Sequence, residues 1–453
     1  MGKNDLIQKL KTGIICLGLT GLTYFNYANA QTPKKVNYQS KYNTIAHKMV
    51  MVEDSGMAGS YLSLKKLDQA IDSSKKFIKK TYYTKQELSN LSEKIYSTIN
   101  NIDHFLAYSN NEGPLFSSDL PSCYIYSLYY LAIGQANNLP FYAVNFEKKS
   151  CYRCTPEFSE HILFEDNSLG HIFIRYDPDG KHDALNQNNP INKGDVNIET
   201  SSGEIEDENY FTDKYYISKY NLPEISLKNK YCLVNLNKKK LLGIAYVWRG
   251  SKTIIYANET KRYIEEKVDK EVEDCERLKK PVYGYEYRMS EKEKDECLER
   301  KKIKFRKDSI EKEHNKLINE ALKDCDKAIE LNPNSFIAYY CKGGGYESLC
   351  TKDRDSISDK KNKNFAQKSI ENYIKASDIV PSSGIYKLIA SNYSNLNDVE
   401  GYKDIEYITK AIKYITKATN LEKEILVKEN MKKVKNNLEK LRCSYLENKI
   451  KHL

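Results

Sequence analysis

A short recurring pattern in the last third of this chain constrains its fold more than any other feature. Ala328-Ile329-Glu330-Leu331-Asn332-Pro333 is followed by Ala338-Tyr339 and then by Gly343. A second passage puts Pro381 at the same distance after Ala376 that Pro333 keeps from Ala328, and a weaker third copy centres on Ala418. Small residues let two helices approach closely. Proline ends a helix, because its ring clashes with the preceding turn and it has no amide proton to donate. A chain punctuated in this way stacks helical pairs, each burying its apolar face against the next.

These copies resemble tetratricopeptide repeats. They lie farther apart than the usual period of about 34 residues, so the turns carry insertions such as residues 351–364. Val247-Trp248-Arg249-Gly250 looks like the first helix of an earlier repeat. Residues 261–315, dense in Lys and Glu and broken once by Pro281-Val282-Tyr283-Gly284, read as a charged helical hairpin inserted into the array. Cys275 and Cys297 fall on its two arms, where a disulfide could staple it.

Hydrophobic residues make up 40% of the 453, enough for a real core and for two or three domains. The 72 basic and 62 acidic side chains leave a net charge of +10. The two signs are interspersed, which predicts a mixed, solvated surface and no nucleic-acid partner. The 37 tyrosines beside one tryptophan read as the bias of an AT-rich genome.

Residues 1–30 read as a secretion signal. Lys9 and Lys11 form a positive flank, Gly13 to Phe25 is apolar but short for a membrane span, and Ala28-Asn29-Ala30 is a small-x-small cleavage site before Gln31. The expectation is an exported protein with no stable membrane span after cleavage. The expected domains are a polar linker over 31–57, a mixed domain over 58–235 and a helical repeat domain over 236–453.

Within the mixed domain, apolar spacing predicts helices between residues 58 and 111, and the clearest helix covers 122–138. It is announced by Asp119, Pro121 and Ser122, and ends at Asn137-Asn138 before Pro140. Phe141–Phe146, His171–Tyr176 and Val196–Thr200 read as strands. The helix opens on Cys123, where unpaired amides and the positive end of the dipole favour thiolate over thiol. A small buried apolar residue is the plainer reading of the same position. A thiolate needs a proton partner, and His171 opens a strand directly after Gly170. Alternation puts His171, Phe173 and Arg175 on one strand face, and Asn197 and Glu199 on one face of the next strand. Either of the latter two could orient the imidazole.

The residues Cys123-x-x-x-Ser127-x-x-Tyr130-Leu131-Ala132-Ile133-Gly134, Leu139-Pro140, Gly170-His171-Ile172-Phe173-Ile174-Arg175 and Asn197-Ile198-Glu199-Thr200-x-x-Gly203 together resemble bacterial transglutaminase-like domains of the papain-like superfamily. Some of those precede tetratricopeptide repeats. The resemblance implies an α+β papain/transglutaminase-like domain followed by an all-α helical repeat domain. It implies Cys123 as nucleophile, His171 as base and Glu199 as the orienting acid, with Asn197 the second choice. The implied reaction is acyl transfer from an amide, without a cofactor, on a protein or peptide recruited by the repeats.

Two observations keep a runner-up open, a non-catalytic binding module with a degenerate site. Tyr124 stands where many relatives carry an acid. Eleven cysteines become ten on cleavage, and a free nucleophile leaves an odd number to pair. A purely structural envelope protein is a third reading. Cys151-x-x-Cys154 with His161 offers part of a zinc site, but no fourth ligand is evident. A disulfide staple, or a bridge to Cys232, is the simpler account of that pair.

Overall fold

A computed structural model of the chain describes residues 38–55, 62–102, 122–146, 171–182, 194–207, 210–220, 222, 224–228, 232–277, 296, 303–350, 356–399, 405–421 and 425–451. The expected signal segment, Cys151, Cys154, His161, the Pro281–Gly284 break and Cys297 lie outside the described residues. Tyr42 to Leu453 belong to one compact unit, in which a mixed α+β region is followed by a run of packed helices.

The mixed region begins with α1 (Ile45–Asp54), α2 (Leu64–Ser74), α3 (Lys85–Ile102) and α4 (Ser122–Ala136). Strands β1 (Phe141–Phe146), β2 (His171–Tyr176), β3 (Val196–Glu199) and β4 (Glu204–Ile205) follow, then helices α5 (Asp213–Tyr220) and α6 (Glu224–Lys228) and strand β5 (Val234–Asn235). The strands form one antiparallel sheet in the order β4-β3-β2-β1-β5. Helix α4 is the hub. Every side chain from Cys123 to Ile133 is buried, so no polar face survives on it. Ile125, Leu128, Leu131 and Ile133 alone contribute roughly 1.5–3 kcal/mol each through burial. The helix stops as the sequence predicts. Asn138 takes φ 57°, and Leu139 N donates to Gly134 O at 2.8 Å.

The period of two along β2 sorts its side chains. Ile172, Ile174 and Tyr176 join the core beneath α1–α4, while Phe173 faces a second cluster with Tyr216, Leu222, Leu227 and Leu233. His171 and Arg175 share the Phe173 face, which places one at each end of it.

One expectation is corrected. Residues 45–54, read as part of a polar linker over 31–57, form α1, with Ile45, Ala46, Met49 and Val50 buried. The Thr44 side chain caps its first turn, and the apolar pairs at four-residue spacing turn one stripe inward. Its two buried polar residues are partnered. His47 Nε2 lies 2.9 Å from Asp68 Oδ1, and Glu53 Oε1 accepts from Tyr124 Oη at 2.5 Å.

The helical run comprises α7 (Lys238–Arg277), α8 (Ile303–Leu331), α9 (Phe336–Ser348), α10 (Ser356–Ile379), α11 (Ser383–Val399), α12 (Ile405–Leu421) and α13 (Ile425–Lys451). Each packs on the next in the chain. The small residues of the repeat pattern sit at the crossings, with Ala328, Ala338, Ala376 and Ala418 fully buried. A Cβ on Gly343 would meet the Tyr373 ring at 2.7 Å, so the α9–α10 approach requires glycine there. Val247–Gly250 lie inside α7, whose first turns also enter the core of the mixed region through Leu241, Ala245 and Trp248. Arg249 completes that join. It donates from Nε to Asp324 Oδ2 at 2.8 Å and from Nη1 to Val52 O at 3.1 Å. Among the described residues no helix is long and apolar enough to cross a membrane.

Candidate functional site

The first turn of α4 is held over the ends of β2 and β3 by hydroxyls. Thr200 Oγ1 donates to Cys123 O at 3.3 Å, and Ser127 Oγ lies 3.3 Å from Ile172 O and 3.1 Å from Thr200 Oγ1. Cys123, at the N-terminal end of the helix, is thereby brought against His171, at the start of β2. Nearness to Cys123 is among the influences that raise the His171 imidazole. His171 Nε2 lies 2.7 Å from Glu199 Oε2. Glu199 is held in turn. Tyr216 Oη donates to Oε2 at 3.2 Å and Ser201 Oγ donates to Oε1 at 2.8 Å. The turn that delivers Ser201 needs Gly203, whose φ is 77° and whose amide donates to Glu199 O at 2.8 Å.

The electrostatics agree with this geometry from both partners. Burial by itself would lower the His171 imidazole, but the influence of Cys123 and Glu199 outweighs that and raises it to about 9. Burial would raise the Glu199 carboxyl, yet the hydrogen bond and charge of His171, with help from Ser201, hold it below the usual range. At neutral pH the pair is an imidazolium beside a carboxylate. The cluster is little exposed, with the Cys123 residue at 5% and the His171 and Glu199 side chains at 17% and 10%.

Asn197, the second choice beside Glu199, does not reach His171. The register pairs Arg175 with Asn197, and Arg175 Nε donates to Asn197 Oδ1 at 2.8 Å. Asn197 Nδ2 donates to Asp213 Oδ1 at 3.0 Å. Asn197 therefore belongs to a buried network at the other end of the strand face. There the fully buried Arg175 donates from Nη2 to Asp213 Oδ1 at 2.6 Å, and His182 bridges Asp213 and Asp195 at 2.6 and 2.8 Å. Tyr124 turns away from the site into the join with α1 and α7, its hydroxyl on Glu53 and its ring against Trp248.

Sequence reasoning missed Tyr216, Ser201 and the Arg175 network. Tyr216 is one of 37 tyrosines and carries no local motif. Ser201 lies within the Glu199–Gly203 stretch that drew attention for other reasons. Among the described residues, Asp177, Asp179 and Asp195 bring carboxylate oxygens within 4.8 Å of one another. The Asp177 oxygens already accept from the amides of Gly180 and His182 and from Asn235 Nδ2, so this group braces the loop after β2. It lies at the opposite end of that strand from His171. A cleft of about 590 Å³ lined by Tyr42, Tyr82, Gln135, Leu139 and Lys238 is also remote, at the far end of α4 from Cys123.

No family model, no curated protein and no solved structure matches the chain. The α+β region followed by a repeat-like helical run rests on the coordinates. The likeness to transglutaminase-like and tetratricopeptide families rests on the residue patterns alone.

Proposed function

We propose that this is an exported protein in which the helical run binds a protein or peptide and the mixed region acts on it through Cys123, in the manner of transglutaminase-like enzymes. The single observation that carries the reading is the 2.7 Å contact of His171 with Glu199, placed beside Cys123 at the N-terminal end of α4. In this scheme Cys123 Sγ, as thiolate, attacks an amide carbonyl, and the imidazolium of His171 gives its proton to the departing amine. A thioester remains. Water or a second amine, losing a proton to the now neutral His171, then releases the acyl group and restores the thiolate beside the imidazolium. Glu199 keeps the ring oriented and balances its charge. The helix-terminal amides near Cys123 supply a place for the carbonyl oxygen.

The test is to incubate full-length protein with a glutamine-bearing protein and a primary-amine probe, reading amine incorporation or side-chain deamidation by mass. The reading expects one of these products, abolished by Cys123→Ser and strongly reduced by His171→Ala. Absence of both products, and of cleavage of the added protein, from folded material would overturn the catalytic part.

The second reading is a binding module with an unused site. It is favoured by the 5% exposure of Cys123, by the diversion of Tyr124 into structural packing, and by a helical run built to present surface to a partner. It predicts that Cys123→Ser leaves partner capture by the helical run unchanged and that no turnover accompanies capture.

A further inference from the structure

Helices α7, α8 and α9 converge on two sulfurs that the site around Cys123 does not use. Cys325 on α8 and Cys341 on α9 are both buried, at 0% and 1% exposure, and their Sγ atoms lie 3.0 Å apart. Ser251 on α7 donates from Oγ to Cys341 Sγ at 3.3 Å. Beside it, a Cβ on Gly250 would lie 3.1 Å from Ala321 O and 3.6 Å from Cys325 Sγ, so glycine brings α7 tight against the pair. A disulfide needs only about 1 Å of further approach between the sulfurs. The helices they join are consecutive, so the bond would close the α8–α9 hairpin near its connecting turn. Nearby Cys350 faces the carbonyls of Tyr346 and Asn362 instead.

We propose that Cys325 and Cys341 are a disulfide-forming pair that staples α8 to α9. The oxidant is a disulfide, of a small thiol or of a protein. One cysteine, as thiolate, attacks a sulfur of that disulfide and expels one thiolate, forming a mixed disulfide. The other cysteine, also as thiolate, attacks the protein sulfur of the mixed disulfide and expels the second thiolate. Two electrons pass to the oxidant, which ends as two thiols carrying the two protons lost from the protein. Because both sulfurs are buried, exchange takes place as the hairpin forms or opens locally, and the finished bond is shielded from reductant. This pairing stands apart from the catalytic proposal and from the expected Cys275–Cys297 bridge.

The test uses full-length protein equilibrated with excess oxidised glutathione, then denatured, alkylated and digested without reduction. The expected result is a linked peptide joining Cys325 to Cys341. Reduction should then lower the thermal midpoint by roughly 5–10 °C, a shift absent in Cys341→Ala and retained in Cys350→Ala. Recovery of Cys325 and Cys341 both alkylated, both capped by glutathione, or joined to other cysteines, would overturn the pairing, whether or not Cys341→Ala folds.

Discussion

His171 Nε2 meets Glu199 Oε2 at 2.7 Å diagonally across two antiparallel strands, although the direct register partner of Asn197 is Arg175. That half-strand offset decides which polar residue of β3 serves the imidazole and which serves the buried guanidinium. It also divides one sheet face into two charged clusters separated by Phe173.

The first prediction concerns pH. The folded-state value of His171 is raised from 6.5 to about 9, so its contribution to stability is fully present below 6.5 and is lost as pH rises through about 9. The Glu199 value is lowered from 4.5, so its contribution is present above 4.5 and is lost as pH falls through the lowered value. The pair therefore helps most between 4.5 and 6.5. Denaturant melts of the parent and Glu199→Gln across pH 5–10 should show the parent's advantage shrinking above pH 6.5. An advantage unchanged from pH 5 to 10 would contradict the ion pair.

Arg175→Met should be strongly destabilising. It leaves Asp213 and Asn197 facing an apolar side chain in a buried setting, at a cost of about 3–5 kcal/mol. Arg175→Met with Asp213→Asn should recover part of that loss. Chemical denaturation of the three variants measures both effects, and additive losses would show that the groups do not act as a unit.

The repeat register can be tested at its small residues. Ala328 and Ala376 have no exposed surface, so Ala328→Phe and Ala376→Phe overpack the crossings and should each cost about 1–3 kcal/mol. Circular dichroism melts decide it, and parent-like midpoints in both variants would put the alanines outside tight crossings.

Much of this arrangement was legible in the sequence because it depends on local periodicity. β1 and β2 occupy the residues their alternation predicts, and the helix opening on Ser122-Cys123 ends where Asn137-Asn138 and Pro140 signal. β3 stops at Glu199, one residue short of the expectation, because the chain turns there through Gly203. What depended on register was only half legible. Alternation left Glu199 and Asn197 equivalent, and only the pairing of Arg175 with Asn197 separates them. What depended on tertiary partners was not legible. The apolar stripe of residues 45–54 was there to be read, but nothing local shows that Asp68 and Tyr124 take up His47 and Glu53, and nothing local marks Tyr216.

Export carries its own test. Cleavage after Ala28-Asn29-Ala30 should leave Gln31 as the mature N-terminus. N-terminal sequencing of native protein from a culture medium or envelope fraction should return Gln31. Intact Met1 in a soluble cytoplasmic fraction would defeat the proposal.

The most direct measurement of the central claim is the rate at which iodoacetamide alkylates each cysteine of the folded, full-length protein near pH 6.5, followed by peptide mass spectrometry. The account predicts that Cys123 reacts first, that His171→Ala slows it about tenfold or more, and that Glu199→Gln slows it less, because it disturbs only the charge and orientation of the ring. Asn197→Ala should leave the rate near the parent's. If Cys123 reacts no faster than a free-thiol control and His171→Ala changes nothing, the Cys123–His171–Glu199 cluster is not a nucleophilic site, and the binding-module reading replaces it.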